Sequence, residues 1–157
     1  MRTIKKIELR VSREKLAEST APYNARIERP EQAVKLIKSI LEGVDQERFL
    51  VMPVDIKNKI LGYIEVARGS VDECPVDPRE VFRAAIVMGA SALFLAHNHP
   101  SGSTDPSPED MKLTRRVCRA GELLGVPVLD HLIVAGDGSL SFAESGIMPE
   151  VKYDIES

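Results

Sequence analysis

SALFLAHNHPSGSTDPSPEDMKLTRRVCRAGELLG, residues 91–125, is the stretch on which the architecture turns. SALFLA, 91–96, is apolar throughout and too short for a buried helix, so it reads as a central strand covered on both faces, ending at His97. The Pro-, Gly- and Ser-rich run that follows is loop chemistry. Ser107 and Pro108 then open a helix, in which Leu113, Val117, Ala120 and Leu124 recur on one face until Gly125 stops it. A buried strand that gives way to a loop and then to a helix N-terminus is where binding and catalytic groups collect.

Downstream, VLDHLIVAGDGSLSF (128–142) reads as two strands around Gly136-Asp137-Gly138. Upstream, Asp77-Pro78 supplies an N-cap and a first-turn proline for a short helix to about Met88, closed by Gly89. RFLVMPVDIKNKILGYIEVARG (48–69) gives two apolar runs around Lys57-Asn58, a hairpin whose first strand has one weakly paired side because it contains Pro53. Pro30 begins another helix, with Ala33, Val34, Ile37, Ile40 and Leu41 at helical spacing before Gly43. The expected organisation is an N-terminal strand (Ile7, Leu9, Val11) and polar arm over 1–29, a domain over 30–148, and an acidic tail over 149–157. The fold class is α/β: one domain with a mixed β-sheet flanked by helices, of unspecified strand order.

At 157 residues and 43% hydrophobic content the chain can bury one ordinary core. A net charge of −3 gives no overall field toward nucleic acid or an anionic membrane, so any DNA contact needs a local patch. The best such patch is Lys112, Arg115, Arg116 and Arg119, a basic stripe opposite the apolar face of the 108–124 helix, for which a solvated surface is the simpler reading. No apolar run reaches membrane length and the N-terminus lacks a signal-peptide core, so a cytoplasmic protein is expected. Cys74 and Cys118 are far apart, outside any CxxC spacing and without a neighbouring His, which excludes a zinc ribbon and disfavours thiol chemistry.

The chemistry concentrates at 97–110. Side chains two apart on a strand share a side, so His97 and His99 can present two imidazoles to one ion while Asn98 faces away. Asp110, third residue of the next helix, can fold back as a third ligand. Two imidazoles and a carboxylate with an open position form a catalytic zinc set, although non-haem iron also uses one. Hydrolysis then needs a carboxylate outside the ligands to move the proton. Glu47 leads, at the boundary between the first helix and the first core strand; Glu65, Glu73 and Glu80 are its rivals. His131 and Asp130 are expected to be hydrogen-bonded core or rim residues, and Asn98 and Ser101 to anchor their own loop.

His97-x-His99, seven residues, then Ser107-x-x-Asp110 resembles the JAMM metalloprotease motif of JAB/MPN-domain proteins. PREVFR (78–83), AHNHPSG (96–102), PSPEDMKLTRR (106–116) and LGVPVLDHLIV (124–134) together resemble the RadC branch over most of residues 31–146. The resemblance implies a cytidine-deaminase-like layered fold and a Zn2+ site on His97, His99 and Asp110. It also implies Glu47 as general acid/base and Ser107 as donor to the oxyanion of the tetrahedral intermediate. RadC-like proteins also carry an N-terminal helix-hairpin-helix region, which this chain is expected to lack, so their DNA-repair association transfers poorly. Asp77 stands where many of them have His.

The expected function is therefore a zinc-dependent peptidase or isopeptidase acting on an unidentified peptide or protein. The alternatives are a DNA-associated accessory module with a structural metal and a non-catalytic MPN scaffold. Consecutive His97-Asn98-His99 does not make an HNH nuclease, whose three residues come from separated parts of a ββα unit. A zinc deaminase would need H-x-E and P-C-x-x-C, which are absent.

Overall fold

The computed structural model describes residues 26–69 and 75–151. The elements run α1 (Pro30–Ile40), β1 (Arg48–Val54), β2 (Ile64–Arg68), α2 (Pro78–Val87), β3 (Ala92–Asn98), α3 (Pro108–Leu124), β4 (Val128–Ala135) and β5 (Gly138–Ser141). The strands form one mixed sheet in the order β2-β1-β3-β4-β5. β1 is antiparallel to both β2 and β3, whereas β3 and β4 are parallel and joined through α3, the crossover that parallel pairing requires. Glu73 and Cys74, the N-terminal strand and most of the acidic tail lie outside the described residues.

Period-two alternation sorts the central strands between two cores. Leu50, Met52 and Val54 of β1, Phe94 and Ala96 of β3, and Leu132 and Val134 of β4 pack with Ala33, Leu36 and Ile37 of α1. Phe49 and Val51 of β1, with Leu93 and Leu95 of β3, pack instead with Val81, Phe82 and Ala85 of α2 and Leu113 and Val117 of α3. The result is a sheet with α1 on one face and α2 and α3 on the other, the layered α/β domain expected. This alternation carries His97 onto the α2/α3 face, and places His131 beside it on β4, because β3 and β4 pair Leu95 with His131 and His97 with Ile133.

β3 is buried along its whole length and runs two residues past the apolar SALFLA segment, through His97 and Asn98. Its ladder continues because β1 pairs it as far as His97 and β4 as far as Asn98. The β1–β2 hairpin forms around Asn58, whose left-handed φ of 58° suits asparagine, and the Asp55 carboxylate accepts from the N–H groups of Lys57 and Lys59. Pro53 lies past the β2 ladder, which covers only Arg48–Val51. Its carbonyl accepts from Leu61 on that same side, so the missing N–H interrupts no ladder bond.

α3 sets the floor of the site. Gly125 ends it at φ 69°, donating back to the carbonyls of Glu122 and Gly121. Gly121 marks the closest approach: a Cβ there would lie 2.6 Å from the Val126 carbonyl oxygen and 3.2 Å from the Phe82 ring.

Candidate metal centre

His97 leaves β3 fully buried, and His99 stands one step beyond the strand, partly exposed. Their Nε2 atoms lie 2.8 Å apart. α3 brings up the third group from its first turn: Ser107 caps the helix by accepting from the Asp110 N–H at 3.0 Å, and the Asp110 carboxylate accepts from the Ser107 N–H at 2.8 Å through Oδ2. This reciprocal pairing turns Asp110 inward, where Oδ1 lies 3.3 Å from His97 Nε2 and Oδ2 3.3 Å from His99 Nε2. Capping and ligand geometry are thus one arrangement.

Glu47 completes the cluster. Antiparallel pairing sets Phe49 opposite His97, so Glu47, the residue just before β1, falls beside the end of β3 from which His99 follows. Ligand-capable atoms of Glu47, His97, His99 and Asp110 all lie within 4.8 Å of one another, a group that could hold a metal ion. Of the described rivals, Glu65 pairs with Arg48 and Arg68, and Glu80 pairs with Arg83 at 2.6 Å.

Two further observations fit this pocket to a cation. Asp110 is essentially buried, and its Oδ1 has no hydrogen-bond donor among the described residues. Burial opposes its ionisation most strongly, yet His97 and the Ser107 N–H outweigh that and hold the carboxyl well below the usual carboxylate range. Both imidazoles also turn Nε2 inward while Nδ1 has a partner outside: His99 Nδ1 donates to the Ser103 carbonyl at 2.8 Å, and His97 Nδ1 lies 2.8 Å from His131 Nε2. Two ring nitrogens 2.8 Å apart beside a buried carboxylate oxygen make a point that a divalent ion would satisfy.

His131 lies in the core, as expected, and it also touches His97, a contact that strand alternation alone does not reveal. All three histidines of the chain form one chain of contacts. Phe49 stacks on His97, and Phe142 stacks on His131 with ring centroids 4.6 Å apart, so both imidazoles are held between aromatic rings. Burial, followed by His97, pushes the His131 imidazole well below its usual pKa and keeps it neutral. Asp130 points to the opposite face, where burial raises its pKa. It accepts from the His131 and Ala143 N–H groups and the Ser141 hydroxyl, tying β4 to β5.

Asn98 anchors a different segment from the one expected. Its Oδ1 accepts from the Arg48 N–H at 2.7 Å and its Nδ2 donates to the Gln46 carbonyl at 3.1 Å. The two bonds bracket Glu47, whose own carbonyl accepts from the Gly69 N–H. Ser101 does stay within its loop, near the Ser103 N–H. Cys118 is buried inside α3, its thiol pushed up to about 11 by burial and then by Glu122, which removes it from nucleophilic roles. Lys112, Arg115, Arg116 and Arg119 are all exposed on α3. Among the described residues no helix is long and apolar enough to cross a membrane.

Comparison with known proteins agrees with this geometry. The family of RadC-like JAB domains matches residues 27–147. The UPF0758 protein of Caldanaerobacter subterraneus is 39% identical over 138 residues, covering 88% of this chain and 57% of that protein. The UPF0758 protein of Picosynechococcus sp. is 46% identical over 116 residues (73% and 48%), and that of Geotalea uraniireducens 49% identical over 104 (66% and 45%). The chain thus spans about half the length of the curated relatives it matches. With the family matched across its sheet, its three helices and the whole candidate cluster, the chain belongs to the RadC-like JAB domain family.

Proposed function

We propose that the chain is a JAMM-type hydrolase that holds Zn2+ on His97, His99 and Asp110 and cleaves a peptide or isopeptide bond, with Glu47 as acid/base and Ser107 as oxyanion donor. The observation that carries this reading is the convergence of the His97 and His99 Nε2 atoms on the two oxygens of the buried Asp110 carboxylate, with Glu47 in the same cluster. Zinc bound there would lower the pKa of a water to about 7 and polarise a carbonyl.

The remaining steps belong to the chain's own residues. The Glu47 carboxylate takes a proton from the attacking water and returns it to the leaving nitrogen, which departs as an amine. Ser107 uses its oxygen to accept from the Asp110 N–H, so its hydroxyl hydrogen is available to an oxyanion forming beside the helix start. Zinc is preferred to iron or manganese because this ligand set with a carboxylate base suits water activation and needs no oxygen chemistry.

The test is turnover of a peptide and isopeptide panel by zinc-loaded protein. Glu47→Gln is expected to retain zinc and lose turnover, and Ser107→Ala to lower kcat by about 10²–10³-fold. Unchanged turnover in Glu47→Gln would overturn the assignment. A second reading, a nucleic-acid-associated module with a structural metal, draws support from the exposed α3 stripe. Salt-dependent duplex binding that disappears in Arg115→Glu/Arg116→Glu would favour it, and absence of such binding would dismiss it. Full retention of the acid/base and ligand types argues against a non-catalytic scaffold.

A further inference from the structure

The buried polar groups behind His97 form a line the hydrolytic chemistry does not use. His131 Nε2 lies 2.8 Å from His97 Nδ1, His131 Nδ1 lies 2.7 Å from the Thr114 hydroxyl, and that hydroxyl donates to the Asp110 main-chain carbonyl at 2.6 Å. His97, His131 and Thr114 are all fully buried, so water can replace none of these partners. Thr114 lies one helical turn after Asp110, which puts its hydroxyl on the face that meets β4.

We infer that Thr114 and His131 are positioning residues that set the tautomer of His97, so that its Nε2 lone pair faces the metal. The inference rests on the metal reading above and follows from counting hydrogens. If His97 Nε2 binds a cation it carries no hydrogen, so the neutral ring carries one on Nδ1. That hydrogen needs an acceptor, and the atom in reach is His131 Nε2. His131 then carries its own hydrogen on Nδ1, which needs an acceptor in turn, and the atom in reach is Thr114 Oγ1. Thr114 can accept only if its hydrogen points elsewhere, and the Asp110 carbonyl, which can only accept, takes it. Every link required by a metal at Nε2 is present, and the last one returns to the backbone of the residue that supplies the carboxylate ligand. The opposite polarity would run the hydrogens toward the metal position and place one on His97 Nε2, where a ligand lone pair is needed. One proton arrangement of one buried line therefore distinguishes a ready ligand from a blocked one.

Thr114→Val keeps the shape but removes the acceptor, leaving a buried N–H on His131 unpaired or forcing the ring to the other tautomer, which opposes the His97 Nδ1 hydrogen. The expected result is zinc affinity weakened about 10- to 100-fold, measured by competition with a chromophoric chelator on folded protein, and restored by Thr114→Ser. Imidazole 15N shifts of the zinc-loaded wild type give a second readout that needs no variant. They should show His131 protonated at Nδ1 alone, and His97 and His99 protonated at Nδ1 with Nε2 shifted by the metal. Wild-type zinc affinity in Thr114→Val, or a His131 protonated at Nε2, would overturn the relay while leaving the metal site intact. A wild type that takes up no zinc overturns the metal reading and the relay together.

Discussion

Replacing Asn98 with alanine removes two hydrogen bonds that together fix the start of β1, the 2.7 Å bond from the Arg48 N–H and the 3.1 Å bond to the Gln46 carbonyl. Asn98 is 8% exposed, so water does not readily take over its role. At about 1 kcal/mol net for each bond the loss is about 2 kcal/mol, and more if the Arg48 N–H is left dry. For a domain of this size that lowers Tm by about 4–8 °C, and lowers the urea midpoint by about 1 M at a slope of about 2 kcal/mol/M. Asn98→Asp preserves an acceptor for Arg48 but faces a carboxylate oxygen to the Gln46 carbonyl, so it should recover only part of the loss at neutral pH. Urea melts followed by circular dichroism read both variants. An unfolding free energy in Asn98→Ala within about 0.5 kcal/mol of wild type would refute the clamp. On the proposed chemistry the alanine variant should also lose turnover, because Glu47 lies between the two anchored peptide groups.

Other consequences can be checked with purified protein. Gly121→Ala adds a Cβ 2.6 Å from the Val126 carbonyl, so it should destabilise by about 1–3 kcal/mol despite the better helix propensity of alanine, and a gain in urea midpoint would contradict the packing of α2 on α3. The Asp77 side chain, bonded to the Arg79 guanidinium and N–H, has its carboxyl lowered to about 2 from an ordinary 3.8. A depressed folded-state pKa gives stability that is present above about pH 4 and lost as pH falls toward 2, so the stability gap between wild type and Asp77→Ala should narrow over that window and stay constant from pH 5 to 7. Cys118, protonated until about pH 11, should resist a disulfide reagent at pH 8 in native protein carrying Cys74→Ser and react once the chain is unfolded in urea. Fast native labelling would place it elsewhere.

Local signals made much of this legible. α3 could be bounded from Ser107, Pro108 and Gly125 because caps and stops are chosen by backbone geometry within a few residues. β3 is visible because a strand buried on both faces is apolar at consecutive positions, and it continues past the apolar run because His97 is polar yet paired with both β1 and β4 and Asn98 is still paired with β4. His97, His99 and Asp110 stand within fourteen residues, so their convergence follows from one strand end and one helix start. Glu47 needed the family resemblance, since nothing local ties it to a residue fifty positions away; the antiparallel register of Phe49 with His97 is what brings it over. His131 and Asn98 escaped for the same reason. Period-two alternation tells which face a side chain takes and not which neighbour it meets, and the β3–β4 and β1–β3 pairings that supply those neighbours are set by sheet order. Thr114, one turn after Asp110, was the nearest available hint that polar groups continue inward behind the ligands.

The central claim is that the His97–His99–Asp110 cluster holds a divalent ion, and metal content of the untagged protein by mass spectrometry tests it most directly. The account predicts close to one zinc per chain after reconstitution, with a sharp loss in His99→Ala and Asp110→Ala variants that remain folded by circular dichroism. Folded wild-type protein that takes up no metal, or variants that retain it, would contradict the account.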